Sequence, residues 1–377
     1  MARSSQLPPQ SVLTLSGLDR LLADTRAIAR LADNKIGLLT NHASLTTDGV
    51  PASLALQQKV STAGGSSIQL FTPEHGIELA AAAGDAVQHS DDPLTGLSVR
   101  SLYGGLGLAR ETAFDDIDTL VIDLRDVGVR CYTYAATAAR AAQHALDQGT
   151  NIIICDRANP LGPGVAGPRP EESRYSLLAF FDVPFVHGQT LSELLANHLG
   201  PLSPDKAFEV YPADPAAEAA LGWTPPSPAL SHPDAVSAYA GLVLLEATNI
   251  SEGRGSSVAF RSVSAPGLNA PALAQSLTSW GMGYAAAPAP ITTMQGAHAG
   301  QAIPGIVIWP RKGSRQAPLE LGVRLLAWLR HHHPDFAWLP GSDGTPGDAI
   351  DTLFGRSDLR EQLEAETDPA EIIDAWR

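Results

Sequence analysis

Glu74 and His75 lie side by side in Pro73-Glu74-His75-Gly76, directly after the apolar run Ile68–Phe71. A carboxyl next to an imidazole can do general acid/base work, and the flanking proline and glycine suit a tight turn that aims both side chains outward. The same pairing would also suit a solvated ion pair at a strand end. Two further apolar runs end in charged clusters. Thr119–Ile122 leads into Asp123, Arg125, Asp126 and Arg130, and Asn151–Cys155 leads into Asp156, Arg157 and Asn159. Asp–Arg pairs of this kind either bind a ligand or lock a turn, and scaffolding is the simpler reading for Asp156 and for part of the Asp123 cluster. Tyr132 follows at once, and an aromatic face there suits sugar stacking and core packing equally. His187 precedes a helix start, where it can cap the turn or donate to an anionic group.

A fourth string, Asn249-Ile250-Ser251-Glu252-Gly253-Arg254-Gly255, is the most specific. Glycines on both sides of Arg254 permit positive φ and close backbone approach, and they leave the arginine little local cover. It should therefore meet a ligand or an ion partner, and a carboxylate is the natural match for its fork. Asn249 and Ser251 add polar groups. Other signals carry less. His331-His332-His333 fits a solvated helix C-terminus. Gly104-Gly105-Leu106-Gly107 lacks a preceding strand and a Lys-Ser/Thr, so it is not a phosphate loop. No Gly-x-Ser-x-Gly elbow or Cys/His metal spacing is present, so no metal or other cofactor is expected.

The elements that must position these residues are legible as pattern. The apolar runs are short, continuous and β-branched, as in strands buried on both faces. Helical spacing covers residues 17–32, about 50–60, 134–148 and 190–199, the last opening with the capping box Thr190/Glu193. Alternation of strands and helices predicts an α/β fold, a Rossmann-like doubly wound parallel sheet with its site at the carboxyl ends of the strands. The proline-rich stretch Trp223–Pro228, followed by Pro233, marks a boundary near 230. Residues 1–230 form the first domain, and residues 231–377 form a smaller α+β domain with a strand at Gly305–Trp309 and a helix at Leu319–His331. The loop 158–175 is too long for a bare connection, so it is expected to be functional or to make a contact in a homodimer.

With 377 residues the chain has room for two domains. A net charge of −15 without a basic run argues against nucleic acid and anionic membranes as partners, though not against an anionic substrate met by local arginines. Cys131 and Cys155 lie in or beside apolar segments and read as buried small residues. The N-terminus shows no apolar signal segment and no run reaches the roughly 20 residues of a membrane span, so a cytoplasmic location is expected.

Taken in order, Pro-Glu-His-Gly, Asp-x-x-Asp-Val-Gly-x-Arg-x-Tyr-Thr-Tyr, Asp-Arg-x-Asn-Pro, His-Gly-x-Thr-x-x-Glu-Leu, Pro-Ser-Pro and Thr-Asn-x-Ser-Glu-Gly-Arg-Gly resemble the exo-β-N-acetylmuramidases of the NamZ type, over about residues 17 to 376. The resemblance implies a Rossmann-like domain and a smaller C-terminal domain with a cleft between them. It also implies hydrolysis of β-linked N-acetylmuramic acid at the non-reducing end of peptidoglycan fragments, as in bacterial cell-wall recycling. By position, Glu74 and Glu252 become the catalytic candidates. His75, Asp123, Asp126, Arg130, Tyr132, Asp156, Arg157, Asn159, His187, Asn249 and Arg254 become cleft or substrate-binding candidates. Ala229 and Arg261 stand where the family usually has Asn and Glu. Arg125, Ala158, Gln189 and Ser192 stand where it usually has Gln, Pro, Met and Gly. Two carboxyls suit glycoside hydrolysis, and a 2-acetamido sugar also permits substrate-assisted chemistry. The lactyl carboxylate of muramic acid would give Arg157 and Arg254 a target. Two alternatives stand beside this one: a non-catalytic muropeptide-binding protein, and another hydrolase acting on acidic amino sugars.

Overall fold

The computed structural model describes residues 15–103, 114–200, 208–216, 221–295 and 298–376. The string Gly104-Gly105-Leu106-Gly107 and the first nine residues lie outside them. The first part is a seven-stranded sheet in the order β3-β4-β2-β1-β5-β6-β7. Its central strands are β1 (Ile36–Leu39), β2 (Ile68–Thr72), β5 (Thr119–Ile122) and β6 (Asn151–Cys155). β4 (Ser98–Ser101) and β7 (Glu209–Tyr211) extend it on either side. All of these pair in parallel, and only the two-residue β3 (Ser90–Asp91) runs antiparallel, at the edge. Counting only the parallel strands in chain order gives 3-2-1-4-5-6, the Rossmann order, with its reversal between β1 and β5.

β1 and β5 are buried along their whole length, as the uninterrupted apolar runs require. Residues 17–32 form two helices instead of one, α1 (Gly17–Ala23) and α2 (Thr25–Ala32). Asp24 makes the break: it ends α1, and its carboxylate accepts from the amides of Arg26 and Ala27 to start α2. α3 (Ala52–Thr62) packs against α2, on the same side of the sheet. On the other side lies α4 (Thr133–Asp147), which buries seven alanines against the strands; their small side chains let helix and sheet approach closely.

The second part contains α6 (Pro233–Leu242), a 3-10 turn (Val243–Ala247), α7 (Ala270–Ser279) and α8 (Pro318–His332), with a three-stranded antiparallel sheet in the order β8-β10-β9. β8 is Ser262–Ser264, β9 is Tyr284–Thr292 and β10 is Ala302–Pro310. Only the middle strand, β10, was legible in the sequence. β9 reads Tyr-Ala-Ala-Ala-Pro-Ala-Pro-Ile-Thr, a poor strand sequence, and its prolines are tolerated because it is an edge strand. Three short helices close the chain: α9 (Asp348–Phe354), α10 (Asp358–Glu364) and α11 (Pro369–Asp374).

One buried apolar cluster runs from β5 and α4 through α6 and α8 into these last helices, so the two parts are packed on each other. The long loop after β6 is a strap between them. Arg130 donates to the carbonyls of Pro168 and Val183 in the strap and to that of Phe354 in α9. Arg174 pairs with Asp348 and Asp351, and Arg356 pairs with Glu171. α5 (Leu191–Leu199) follows, with the expected capping box at Thr190 and Glu193. Among the described residues no helix is long and apolar enough to cross a membrane.

Candidate active site

β2 delivers Glu74 two residues beyond its last paired residue, Thr72. His75 takes a left-handed φ of 71° and Gly76 one of 79°, so the chain reverses sharply around the carboxyl. A positive φ on a histidine is strained, and such strain collects at functional sites. Glu74 is buried. Its Oε1 accepts from the Gly84 amide at 2.8 Å, and its Oε2 accepts from the Thr133 hydroxyl at 2.6 Å. Thr133 is the first residue of α4, so the carboxyl sits by a helix N-terminus, which favours negative charge. The His75 Nδ1 lies 2.8 Å from the Ala81 carbonyl, which makes Nδ1 the protonated nitrogen. Burial pushes the imidazole below its ordinary pKa and the Arg254 charge adds to this, against opposing pulls from Glu74 and the Ala81 carbonyl.

Glu252 comes from the second part. Its carbonyl accepts from the Phe260 amide at 2.8 Å, and Phe260 itself adopts a positive φ of 52°. Gly253 is required on two counts: its φ is 83°, and a Cβ there would stand 2.1 Å from the Ser262 hydroxyl. Arg254 then turns back over the loop. Its Nε donates to Glu252 Oε1 at 3.2 Å, its Nη2 pairs with Glu246, and its guanidinium lies 5.0 Å from the centre of the Phe260 ring. Burial pushes the Glu252 carboxyl above its usual range.

The two motifs meet through a row of rings. His75 packs edge-on to Tyr134 at 6.3 Å, Tyr134 tilts against Tyr132 at 4.6 Å, Tyr132 meets Tyr239 of α6 at 6.0 Å, and Tyr239 meets Phe260 at 4.8 Å. Arg254 caps the row. Its charge acts on Glu74 and His75 from across the boundary between the two parts. Glu74, His75, Tyr132, Glu252 and Arg254 are thus brought together.

The other candidates are placed differently. Asp123 and Arg157 form a buried two-point pair at 2.6 and 2.9 Å, and Arg157 also donates to the Leu45 carbonyl. The Arg157 fork is therefore engaged inside the protein. Asp156 accepts from the amide and hydroxyl of Ser192 at the start of α5. Asp126 pairs with His187 at 3.1 Å and accepts from the Gly128 amide. Asn159 bridges Leu161 and Gln189. Asn249 pins the segment after α8 through the Asp335 carbonyl and the Ala337 amide. Ala229 is buried in the core, and Arg261 donates to the Ser257 carbonyl. Sequence reasoning missed Gly84, Glu246, Tyr239 and Phe260. Their spacing carries no motif, and each joins the site only through a long loop or a separate helix. Thr133 lay inside the Tyr-Thr-Tyr string but showed no sign of facing Glu74. Among the described residues no group of three His, Cys, Asp or Glu could hold a metal ion.

Residues 36–234 match the profile of the N-terminal domain of the exo-β-N-acetylmuramidase NamZ, and residues 237–377 match that of its C-terminal domain. The chain belongs to the NamZ family. Members are glycoside hydrolases, and so is this chain, an exo-β-N-acetylmuramidase acting on peptidoglycan fragments. A similar protein is the peptidoglycan β-N-acetylmuramidase NamZ of Bacillus subtilis (strain 168), 29% identical over 370 residues, which cover 96% of this chain and 87% of that one. Two crystal structures of DUF1343 family proteins from Bacteroides fragilis share the fold. One has a TM-score of 0.79 at 22% identity, covering 96% of this chain and 94% of that one. The other has a TM-score of 0.69 at 22% identity, covering 97% and 94%.

Proposed function

We propose that Glu252 is the general acid that protonates the leaving oxygen of the muramic acid glycoside, and that Glu74 is the carboxylate working on the other side of the bond. The observation that carries this reading is the convergence of the two motifs on Arg254 and the ring row. The two carboxyls then differ in a useful way. Glu74 accepts from the Gly84 amide and from the Thr133 hydroxyl at the start of α4. Glu252 is buried, its Oε1 accepts from Arg254 Nε, and burial raises its pKa, as suits an acid. Environments that separate two carboxyls in this manner assign the acid and its partner. His75, kept below its ordinary pKa by burial, lies next to Glu74, and the packed rings of Tyr132 and Tyr239 hold the two motifs in register.

The test is a pair of substitutions assayed on aryl muramides of graded leaving-group acidity. Glu252→Gln should be nearly inactive on poor leaving groups and recover on good ones, because these depart without a proton. Glu74→Gln should be inactive on both. Equal loss for Glu252→Gln across the series would remove it as the acid.

A further inference from the structure

The loop carrying Glu252 contains an arginine shared between two carboxylates. Arg254 gives Nε to Glu252 and Nη2 to Glu246, the latter from the 3-10 turn that ends six residues before Gly253. The two carboxylates are not equivalent. The Glu252 side chain keeps 9% of its surface, whereas the Glu246 side chain keeps 30%. Two negative charges around one guanidinium leave an excess of one, and it is relieved by protonating the carboxyl that water reaches least. Nothing in this arrangement requires Glu246 to touch substrate.

We propose that Glu246 is a positioning residue: by clamping Arg254 it takes up the guanidinium charge and so leaves Glu252 protonated and ready to act as the acid. This rests on the reading of Glu252 given above. The groups facing Arg254 are consistent with it. Glu74 and Tyr132 approach from the first part, Tyr239 approaches from α6, and His75 lies within reach of the same charge. Among the described residues, Glu246 is the carboxylate that pairs with Arg254 and has no place in the proposed chemistry. Without Glu246, the undivided charge of Arg254 would favour the ionised form of Glu252, and the acid would be lost at lower pH. An opposite charge at this range lowers a carboxyl pKa by about one to three units.

The experiment measures kcat/KM against pH on a chromogenic muramide for the full chain and for Glu246→Gln, Glu246→Asp and Glu252→Gln. The alkaline limb of Glu246→Gln is expected to move about one unit or more toward acid. That corresponds to a tenfold or greater loss on the alkaline side with little change on the acid side. A merely structural role would lower the whole profile evenly. If Glu252→Gln is inactive while Glu246→Gln keeps the wild-type limb, the clamp is overturned and Glu252 stands as the acid. If Glu252→Gln retains activity, both are overturned. Should Glu246→Gln fail to fold, Glu246→Asp carries the test. Its carboxylate is one methylene shorter and is withdrawn from Nη2, so the limb should move the same way by a smaller step. An unmoved limb would overturn the proposal.

Discussion

Two arginine–carboxylate pairs occupy the two halves of the molecule, and they are built in opposite ways. Asp123 and Arg157 meet at two points, both side chains are almost wholly buried, and the arginine Nη2 also donates to the Leu45 carbonyl. Every feature closes the pair onto the protein. Glu252 and Arg254 meet at one point, 3.2 Å, and the arginine is divided with Glu246 and laid on a ring. The first arrangement fixes where β1, β5 and β6 end. The second divides one guanidinium between two carboxylates and is more open to water, with 23% of the Arg254 side chain exposed against 3% for Arg157. In a sequence the two pairs look alike, and how fully the fork is satisfied is what separates scaffold from chemistry.

The largest break in this comparison should come from Glu74→Gln. Turnover of a muramic acid glycoside is expected to fall by about 10²–10⁴-fold or more, with an unchanged circular dichroism spectrum. Near wild-type turnover would make Glu74 structural. Arg157→Ala should act on the other axis. It leaves Asp123 buried without its counter-ion, a change that costs about 3–5 kcal/mol, so denaturant unfolding should show a large loss while the folded fraction still turns over substrate. A stability change within a few tenths of a kcal/mol would contradict a closed pair.

Arg254→Ala tests the open pair. Its fork is already engaged by Glu246 and Glu252, so the residue is expected to support Glu252 more than to read the lactyl carboxylate. Activity should drop by roughly one to two orders of magnitude, and by the same factor on muramide and glucosaminide substrates. A selective loss on the muramide would restore substrate recognition. The smallest effects are in pH and stability. Burial raises the Glu252 pKa, so the stability tied to it is present below the ordinary carboxyl range and declines as pH rises through the raised value. Glu252→Gln should therefore melt above the wild type at neutral pH, with the gap closing in acid. His75 has the opposite sign: its pKa is depressed by burial, so stability is present above its ordinary value of 6.5 and is lost as pH falls below it. His75→Gln should flatten that acid-side slope in melting curves taken between about pH 7 and 5.

Much of the frame was legible because it rests on local pattern. The buried strands announce themselves as continuous apolar runs, the capping box marks the start of α5, and the glycines around Arg254 forecast its exposed loop. Local pattern failed where two tendencies competed. Residues 17–32 keep helical spacing throughout, yet the Asp24 side chain captures two amides and divides them into α1 and α2. β9 has strand geometry without strand composition, since an edge position tolerates Pro288 and Pro290. The loop after β6 showed no sign in the sequence of the arginines that hold it, and Arg130 and Arg174 tie it to the final helices.

What the sequence by itself determined is the set of strand-end motifs, the α/β order that places them at one edge of a sheet, and the family they belong to. These follow from periodicity and residue type, which act over a few neighbours. Only the tertiary structure decided which charged groups are spent on the fold. Asp156 reaches Ser192, Asn249 reaches Ala337 and Arg157 reaches Asp123, all partners more than 30 positions away. The same is true of the site: Glu74 meets Thr133 across 59 positions, and Tyr239 and Phe260 enter from the second part. Burial and hydrogen-bond satisfaction are properties of three-dimensional neighbours, so the different settings of Glu74 and Glu252 exist only once the two parts are packed on each other.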